Sequence, residues 1–230
     1  MRYAAVFLSD PHAGLPESTA ALVLYFRENN DADAWFWPGD IADLWVLSLF
    51  RRWYGETETK LVHTALGDLP VAGNHDDLLA KTGLLPTERL YVSPVTGKRL
   101  LVIHGNALDP FIVRHLIASI LATWLNLAAM LTVDPMVNWL RKRVGRNGHW
   151  SLASAVKHWL RKGSYLQKVK ARAVALAKER GVDGCIFGHT HEASVETRDG
   201  IMLVNTGAGR ELTAAVEHCD GTWGIISLAP

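Results

Sequence analysis

The stretch Leu69-Pro70-Val71-Ala72-Gly73-Asn74-His75-Asp76 joins a short apolar run to a cluster of Gly, Asn, His and Asp. The same join recurs four more times. Residues 3–8 run into Ser9-Asp10-Pro11-His12, residues 34–37 into Pro38-Gly39-Asp40-Ile41-Ala42-Asp43, residues 100–103 into His104-Gly105-Asn106, and residues 185–187 into Gly188-His189-Thr190-His191. Any one of these reads as an ordinary turn, because Asn, Asp and Gly are what turns use. All five in series are a pattern. In open α/β sheets ligands bind beyond the carboxyl ends of the strands, so the clusters should converge on one edge, as a metal site needs.

Working outward, helical periodicity at 18–29 and 57–66 separates the first strands, and alternating elements argue for an α/β layered fold. A long helical tract follows from residue 111 to about 180, punctuated near Asp134-Pro135 and at Gly145-Arg146-Asn147-Gly148. Strands then resume at 185–187, 193–197, 202–205, 214–219 and 223–228, with Asp199-Gly200 and Asp220-Gly221 as hairpin turns. One domain over residues 1–230 is expected, carrying a helical insertion at about 108–178.

The 230 residues are 49% hydrophobic and 20% charged, enough apolar matter for a sizeable core and incompatible with intrinsic disorder. Nine Trp add area that can serve a ligand or an interface as well as the core. Cys185 and Cys219 lack a C-x-x-C spacing, which points to a reducing compartment and away from cysteine–metal chemistry. The start of the chain reads as a strand rather than a secretion signal, so a cytoplasmic location is expected. Residues 116–133 carry no charge and are just long enough to span a bilayer. A spanning helix there would put motifs that must meet in one site on opposite sides of the membrane, so a lid helix is the better reading.

The net charge of +1 hides an asymmetry: residues 135–178 hold eleven Lys or Arg and no Asp or Glu. An anionic membrane surface, a phosphate-bearing substrate or nucleic acid would each suit such a block. The apolar neighbour favours the first two. Nucleic acid is therefore not expected as a partner, although Trp139, Trp150 and Trp159 could stack on bases.

The candidate donors are mixed nitrogen and oxygen without sulfur, which suits Mn, Fe or Zn rather than calcium. A carboxylate among imidazoles can bridge two ions, and paired ions about 3.5–4 Å apart are the standard device for phosphoester hydrolysis. Asp10-x-His12, Gly39-Asp40, Gly73-Asn74-His75-Asp76, His104 and Gly188-His189-x-His191 resemble, in order, the five motifs of the calcineurin-like metallophosphoesterase superfamily. The resemblance implies a four-layer α/β/β/α sandwich with two divalent ions, Mn by that likeness. One ion would take Asp10, His12, Asp40 and His191; the other would take Asp40, Asn74, His104 and His189. His75 would stand near the leaving group as a general acid or charge stabiliser, with Asp76 orienting it.

Outside the ligands, Gly39-Asp40-Ile41-Ala42-Asp43-Leu44-Trp45, the helical insertion, Trp150-Ser151-Leu152-Ala153-Ser154 with Lys157, and Asn205-Thr206-Gly207 resemble the UDP-2,3-diacylglucosamine hydrolases of lipid A synthesis. That resemblance implies hydrolysis of a nucleotide–lipid pyrophosphate to UMP and a lipid monophosphate. Peripheral contact with an anionic inner membrane would follow. Asp43, Lys157 and Arg161 are candidate substrate contacts. The alternative is a metallophosphoesterase acting on a dinucleotide, a phosphoprotein or a nucleic acid phosphodiester. A non-enzymatic scaffold is disfavoured because every ligand position is filled, and unneeded buried charges are costly.

Overall fold

β1 (Arg2–Phe7) is buried along nearly its whole length, as expected for a central strand with a layer on each face. It pairs in parallel with β2 (Asp31–Pro38), which pairs in parallel with β3 (Leu69–Val71). On its other side β1 meets β9 (Thr213–His218) antiparallel, and β10 (Trp223–Ser227) completes a sheet of order β10-β9-β1-β2-β3. A second sheet has the order β4-β5-β6-β8-β7, from Glu88–Val92, Arg99–Ile103, Gly184–Phe187, Ile201–Asn205 and Ser194–Arg198 respectively. In it β5, β6 and β8 run parallel, with antiparallel β4 and β7 at the edges. The computed structural model describes residues 2–14, 19–42, 55–109, 125, 128–129, 132–143 and 165–228.

The faces of the two sheets share one core: Ala5, Phe7, Phe36, Val71 and Ala215 of the first pack with Tyr91, Leu100, Val102, Ile186 and Val204 of the second. Phe7 stacks on Phe36 at 4.9 Å and on Trp223 at 5.5 Å between ring centroids. The opposite face of the first sheet is covered by α1 (Ala20–Asn29) and α2 (Glu56–Gly67), whose Val23, Leu24, Phe26, Leu61 and Ala65 bury against Val6, Leu8, Trp35 and Trp37. Trp35 and Trp37 are thus core residues. Two mixed sheets flanked by helices make the expected α/β sandwich.

The two sheets are also joined by polar contacts. Glu217 of β9 is fully buried and accepts hydrogen bonds from the Tyr91 hydroxyl and from Ser93 Oγ, the latter at 2.6 Å. Burial and the neighbouring carboxyl push the Tyr91 phenol up.

β4 and the short α3 (Asp77–Lys81) lie where the sequence reading placed no element. The signal for β4 was Leu90-Tyr91-Val92 followed by the turn Ser93-Pro94-Val95-Thr96-Gly97, and Ser93 N–H does bond the Lys98 carbonyl at 2.9 Å. The Asp199-Gly200 hairpin is as expected, both residues taking positive φ, at 51° and 80°.

The chain divides into two compact units, residues 1–106 with 172–230 and residues 107–171. Within the smaller one, α4 (Val133–Arg143) carries Asp134-Pro135, where the sequence is punctuated, in its first turn, a position where Pro is tolerated. Met136, Trp139 and Leu140 fall on one exposed face of α4, and the Arg143 guanidinium lies 3.9 Å over the Trp139 ring. The Tyr165 hydroxyl donates to Asp109 Oδ2 at 2.5 Å, tying the first residue of α5 (Tyr165–Glu179) to the segment after β5. Most of residues 110–131 and all of 144–164 lie outside the described residues, so they do not bear on the expected lid. Among the described residues no helix is long and apolar enough to cross a membrane.

Candidate metal centre

The loops after β1, β2, β3, β5 and β6 meet at the carboxyl ends of the parallel strands. Pairing between β1 and β2 continues past the strands: Asp10 N–H bonds the Gly39 carbonyl, and His12 N–H bonds the Asp40 carbonyl, at 3.0 and 3.1 Å. Gly188 N–H bonds the His104 carbonyl at 2.8 Å, which joins the loops of the second sheet to each other. Among the described residues seven non-glycines have positive φ, and five of them are Asp10, His12, Asp40, His189 and His191. Each left-handed residue costs on the order of 1–3 kcal/mol, and such strain gathers where surrounding contacts impose it for function.

Two carboxylates organise the centre, each with one oxygen fixed by a backbone N–H from another motif. Asp40 Oδ1 accepts from His75 N–H at 2.9 Å, and Asp10 Oδ2 accepts from His189 N–H at 3.1 Å. The other two oxygens face imidazoles. Asp40 Oδ2 lies 3.2 Å from His104 Nε2, 3.8 Å from His12 Nε2 and 3.9 Å from His75 Nε2. Asp10 Oδ1 lies 3.2 Å from His191 Nε2 and 3.9 Å from His12 Nε2, and it is buried without accepting a hydrogen bond.

The surroundings of His104 test how well a cation would fit. Its Nδ1 donates to the Pro38 carbonyl at 2.9 Å, while its Nε2 has Asn74 Oδ1 at 3.1 Å, Asp40 Oδ2 at 3.2 Å and His189 Nδ1 at 3.2 Å. One N–H cannot serve three such neighbours. A cation among them can. Donor atoms of Asp10, His12 and His191 lie within 4.8 Å of one another, as do those of Asp40, His104 and His189, and those of His12, Asp40 and His75. These donors fit a divalent metal site, with Asp40 common to two of the groups.

The protonation pattern follows from the crowding. Burial alone would raise Asp10 and Asp40, but His104 with His191 holds Asp10 below the usual carboxylate range, and His104 with His75 holds Asp40 well below it. Burial opposes a charged His104, yet Asp40 and Asp10 push it up to about 10.

Asp76 differs from expectation. Its carboxylate is committed to three backbone donors, Ile41 N–H at 2.9 Å, Ala42 N–H at 3.1 Å and Gly73 N–H at 3.4 Å, rather than to the His75 side chain. Two oxygens spent on three N–H groups tether the loop that carries Asp40. Burial and the nearby Asp40 push Asp76 up to about 6. His75 itself packs edge-on against His12 at 4.9 Å between centroids.

Close packing explains the glycines of two motifs. A Cβ at Gly73 would collide with the carboxylate and backbone N of Asp40, and one at Gly188 with Ser9 and the carboxylate of Asp10.

Other supports carried no motif signal of their own. Ser9 Oγ and Thr206 Oγ1 share a buried hydrogen bond of 2.6 Å, and Asn205 Nδ2 donates to Thr190 Oγ1 at 2.6 Å, bracing the residue between His189 and His191. Glu211 Oε1 lies 3.4 Å from His191 Nδ1. The structure therefore brings together Asp10, His12, Asp40, Asn74, His75, His104, His189 and His191. Asp43, Lys157 and Arg161 lie outside the described residues.

The calcineurin-like phosphoesterase family matches residues 4–193, a span that holds all of those side chains. No curated protein matches the chain. Among solved structures, a predicted phosphoesterase from Streptococcus pneumoniae is 14% identical over 98% of this chain and 97% of its own, with a TM-score of 0.44. Yfce, a phosphoesterase from E. coli, is 15% identical over 98% and 99%, also at 0.44. A Vps29 mutant from Entamoeba histolytica is 10% identical over 97% and 98%, at 0.45.

Proposed function

The chain belongs to the calcineurin-like phosphoesterase family and is a metal-dependent phosphoester hydrolase; from that premise we propose that it cleaves the pyrophosphate of UDP-2,3-diacylglucosamine, releasing UMP and a lipid monophosphate. The observation that carries the substrate is the exposed Met136, Trp139 and Leu140 face of α4 within a block of eleven cationic residues and no acid. Such a helix suits acyl chains and anionic headgroups together. The uncharged run at 116–133 supports the same reading. The protein then works at the cytoplasmic leaflet as a peripheral protein, where each nearby Lys or Arg contributes about 1 kcal/mol.

Asp10, His12, Asp40 and His191 would hold one ion, and Asp40, Asn74, His104 and His189 would hold the second, Mn being the expected metal. Bound there, the two ions would neutralise charge on the phosphoryl oxygens and supply a water-derived nucleophile. Asp40 keeps the two positions in register, because its Oδ1 is anchored by His75 N–H and its Oδ2 is left to the centre. His75 gives its proton to the departing oxygen as the P–O bond breaks. Asp76 keeps the Asp40 loop in place through its three backbone bonds. Asp43, Lys157 and Arg161 contact the substrate.

The test is UMP release from UDP-2,3-diacylglucosamine beside hydrolysis of a generic aryl phosphodiester, both with added Mn. Fast UMP release with little generic activity supports the assignment. Brisk generic hydrolysis with slow UMP release keeps the metal centre and discards the lipid substrate in favour of another phosphoester.

A further inference from the structure

The two imidazoles best placed for the two metal positions have different partners behind them. His104 Nδ1 donates to a neutral backbone carbonyl, that of Pro38, at 2.9 Å. His191 turns Nε2 toward Asp10 Oδ1 at 3.2 Å, and on its far side Nδ1 meets the carboxylate of Glu211 at 3.4 Å. A carboxylate can only accept, so once Nε2 gives its lone pair to a cation beside Asp10 the ring proton is on Nδ1, and Glu211 is there to accept it.

We propose that Glu211 is a positioning residue for the metal centre: it fixes the ring of His191, accepts its Nδ1 proton when Nε2 ligates, and strengthens the metal position shared by Asp10, His12 and His191. This rests on the reading of His191 as a ligand. The turn that carries Glu211 is built onto the backbone of that same position. Gly209 N–H bonds the Ser9 carbonyl at 2.6 Å, and Arg210 N–H bonds the Asp10 carbonyl at 3.2 Å. Thr19 Oγ1 donates to the Gly209 carbonyl at 3.1 Å. Leu212 then closes the turn with its N–H on the Gly209 carbonyl at 3.0 Å and a left-handed φ of 58°, a strained conformation for a leucine. Asp10 and Glu211 are therefore carried by two backbone segments bonded to each other, with His191 between their carboxylates.

The asymmetry has a consequence. A carboxylate behind a ligating histidine raises its basicity, and losing such a partner costs typically about 10–100-fold in metal affinity or activity. Glu211 lies beyond the span that matches the family, residues 4–193, so the motifs themselves do not supply it. Its side chain is 43% exposed, and replacing it leaves no buried hole.

The test is Mn binding to the chelator-stripped full-length protein, by titration calorimetry with a competing chelator, for wild type, Glu211→Gln, Glu211→Ala and His191→Ala. Glu211→Ala should weaken one of the two positions by about 10–100-fold, leave the other unchanged and leave the melting temperature of the metal-free protein unchanged. Glu211→Gln, which keeps an acceptor but no charge, should fall between. Nitrogen-15 spectra of the protein loaded with Zn, a diamagnetic ion, should show the His191 Nδ1–H signal of wild type displaced in Glu211→Ala. Unchanged affinity and Nδ1–H signal in Glu211→Ala, with loss of a metal in His191→Ala, overturns this inference alone. Full metal binding by His191→Ala overturns the ligand reading and the inference with it. Equal weakening of both positions with a lower melting temperature also overturns it, as a purely structural effect.

Discussion

Replacing Gly73 with Ala is the smallest change that strikes the centre without altering a donor. The added Cβ would sit 2.9 Å from Asp40 Cγ and closer still to Asp40 Oδ1 and backbone N. Ordinary contact begins at 3.4 Å, so Cγ must retreat by about 0.5 Å and Oδ1 by more. Backbone N cannot retreat alone, because the Asp40 loop is pinned by Asp76 and by His12 N–H on the Asp40 carbonyl. Metal–ligand distances tolerate only about 0.2 Å, and a misplacement of about 1 Å can cost roughly 100-fold in rate. Gly73→Ala should therefore lose roughly 10–100-fold in kcat/KM, about 1.4–2.7 kcal/mol of transition-state stabilisation. Overpacking should add about 1–3 kcal/mol of lost stability. The assay is Mn-supported hydrolysis of an aryl phosphodiester with bound metal counted by mass spectrometry. Gly67→Ala is the control, since nothing lies within 4 Å of its added Cβ. Gly73→Ala with two bound ions and wild-type kcat/KM would refute the placement of Asp40 as the shared donor.

Asp40→Ala should lose both ions and nearly all turnover, whereas His75→Ala should keep metal and lower kcat; equal metal loss in both, by elemental analysis, would make His75 a ligand instead of an acid. In the metal-free protein His104, raised to about 10, lends stability that is full below its unfolded pKa of about 6.5 and fades as pH climbs toward 10. The depressed Asp10 and Asp40 lend theirs above about pH 4 and lose it as pH falls. Asp76, raised to about 6, loses its contribution as pH rises from about 4 to 6, so melting temperatures in EDTA should peak near about pH 4 and decline on the alkaline side, and added Mn should remove the part of the decline above about pH 6.5 by replacing the His104 proton; a flat EDTA profile above that pH would contradict the crowding around His104. Tyr91→Phe should cost about 1.5–3 kcal/mol in urea unfolding, because it strips a donor from the buried Glu217 carboxyl, and a change below about 0.5 kcal/mol would mean that this inter-sheet tie contributes little.

What the sequence disclosed and what it withheld divide along a physical line. Strand ends carrying Asp, Asn and His were legible because apolar runs and polar clusters differ sharply in composition, and every donor set out from them falls into the centre. β4 was overlooked because Glu88-Arg89-Leu90-Tyr91-Val92 alternates only weakly on an edge strand, where little burial enforces a pattern. The supports were hidden for another reason. Glu211 reaches His191 across 20 positions, Thr206 reaches Ser9 across 197, and Asp76 serves backbone N–H groups that any residue would offer at 41 and 42. Partners of that kind are set by the tertiary path, not by local spacing.

The same residue types explain why turn and metal-site readings of each cluster were both reasonable. Asp, Asn and His are the non-glycine residues that most readily take a left-handed backbone, and five of the candidate donors do so here. A strand that ends in such a residue can reverse abruptly while its side chain stays at the sheet edge. The turn chemistry delivers the donor atom, and the neighbouring loops hold the strained backbone through bonds such as His189 N–H on Asp10 and His75 N–H on Asp40. Substituting any one donor by a β-branched residue would then remove a ligand and impose a conformation the residue resists. The donors and the strained backbone are one feature, which is why the clusters had to be read as a set.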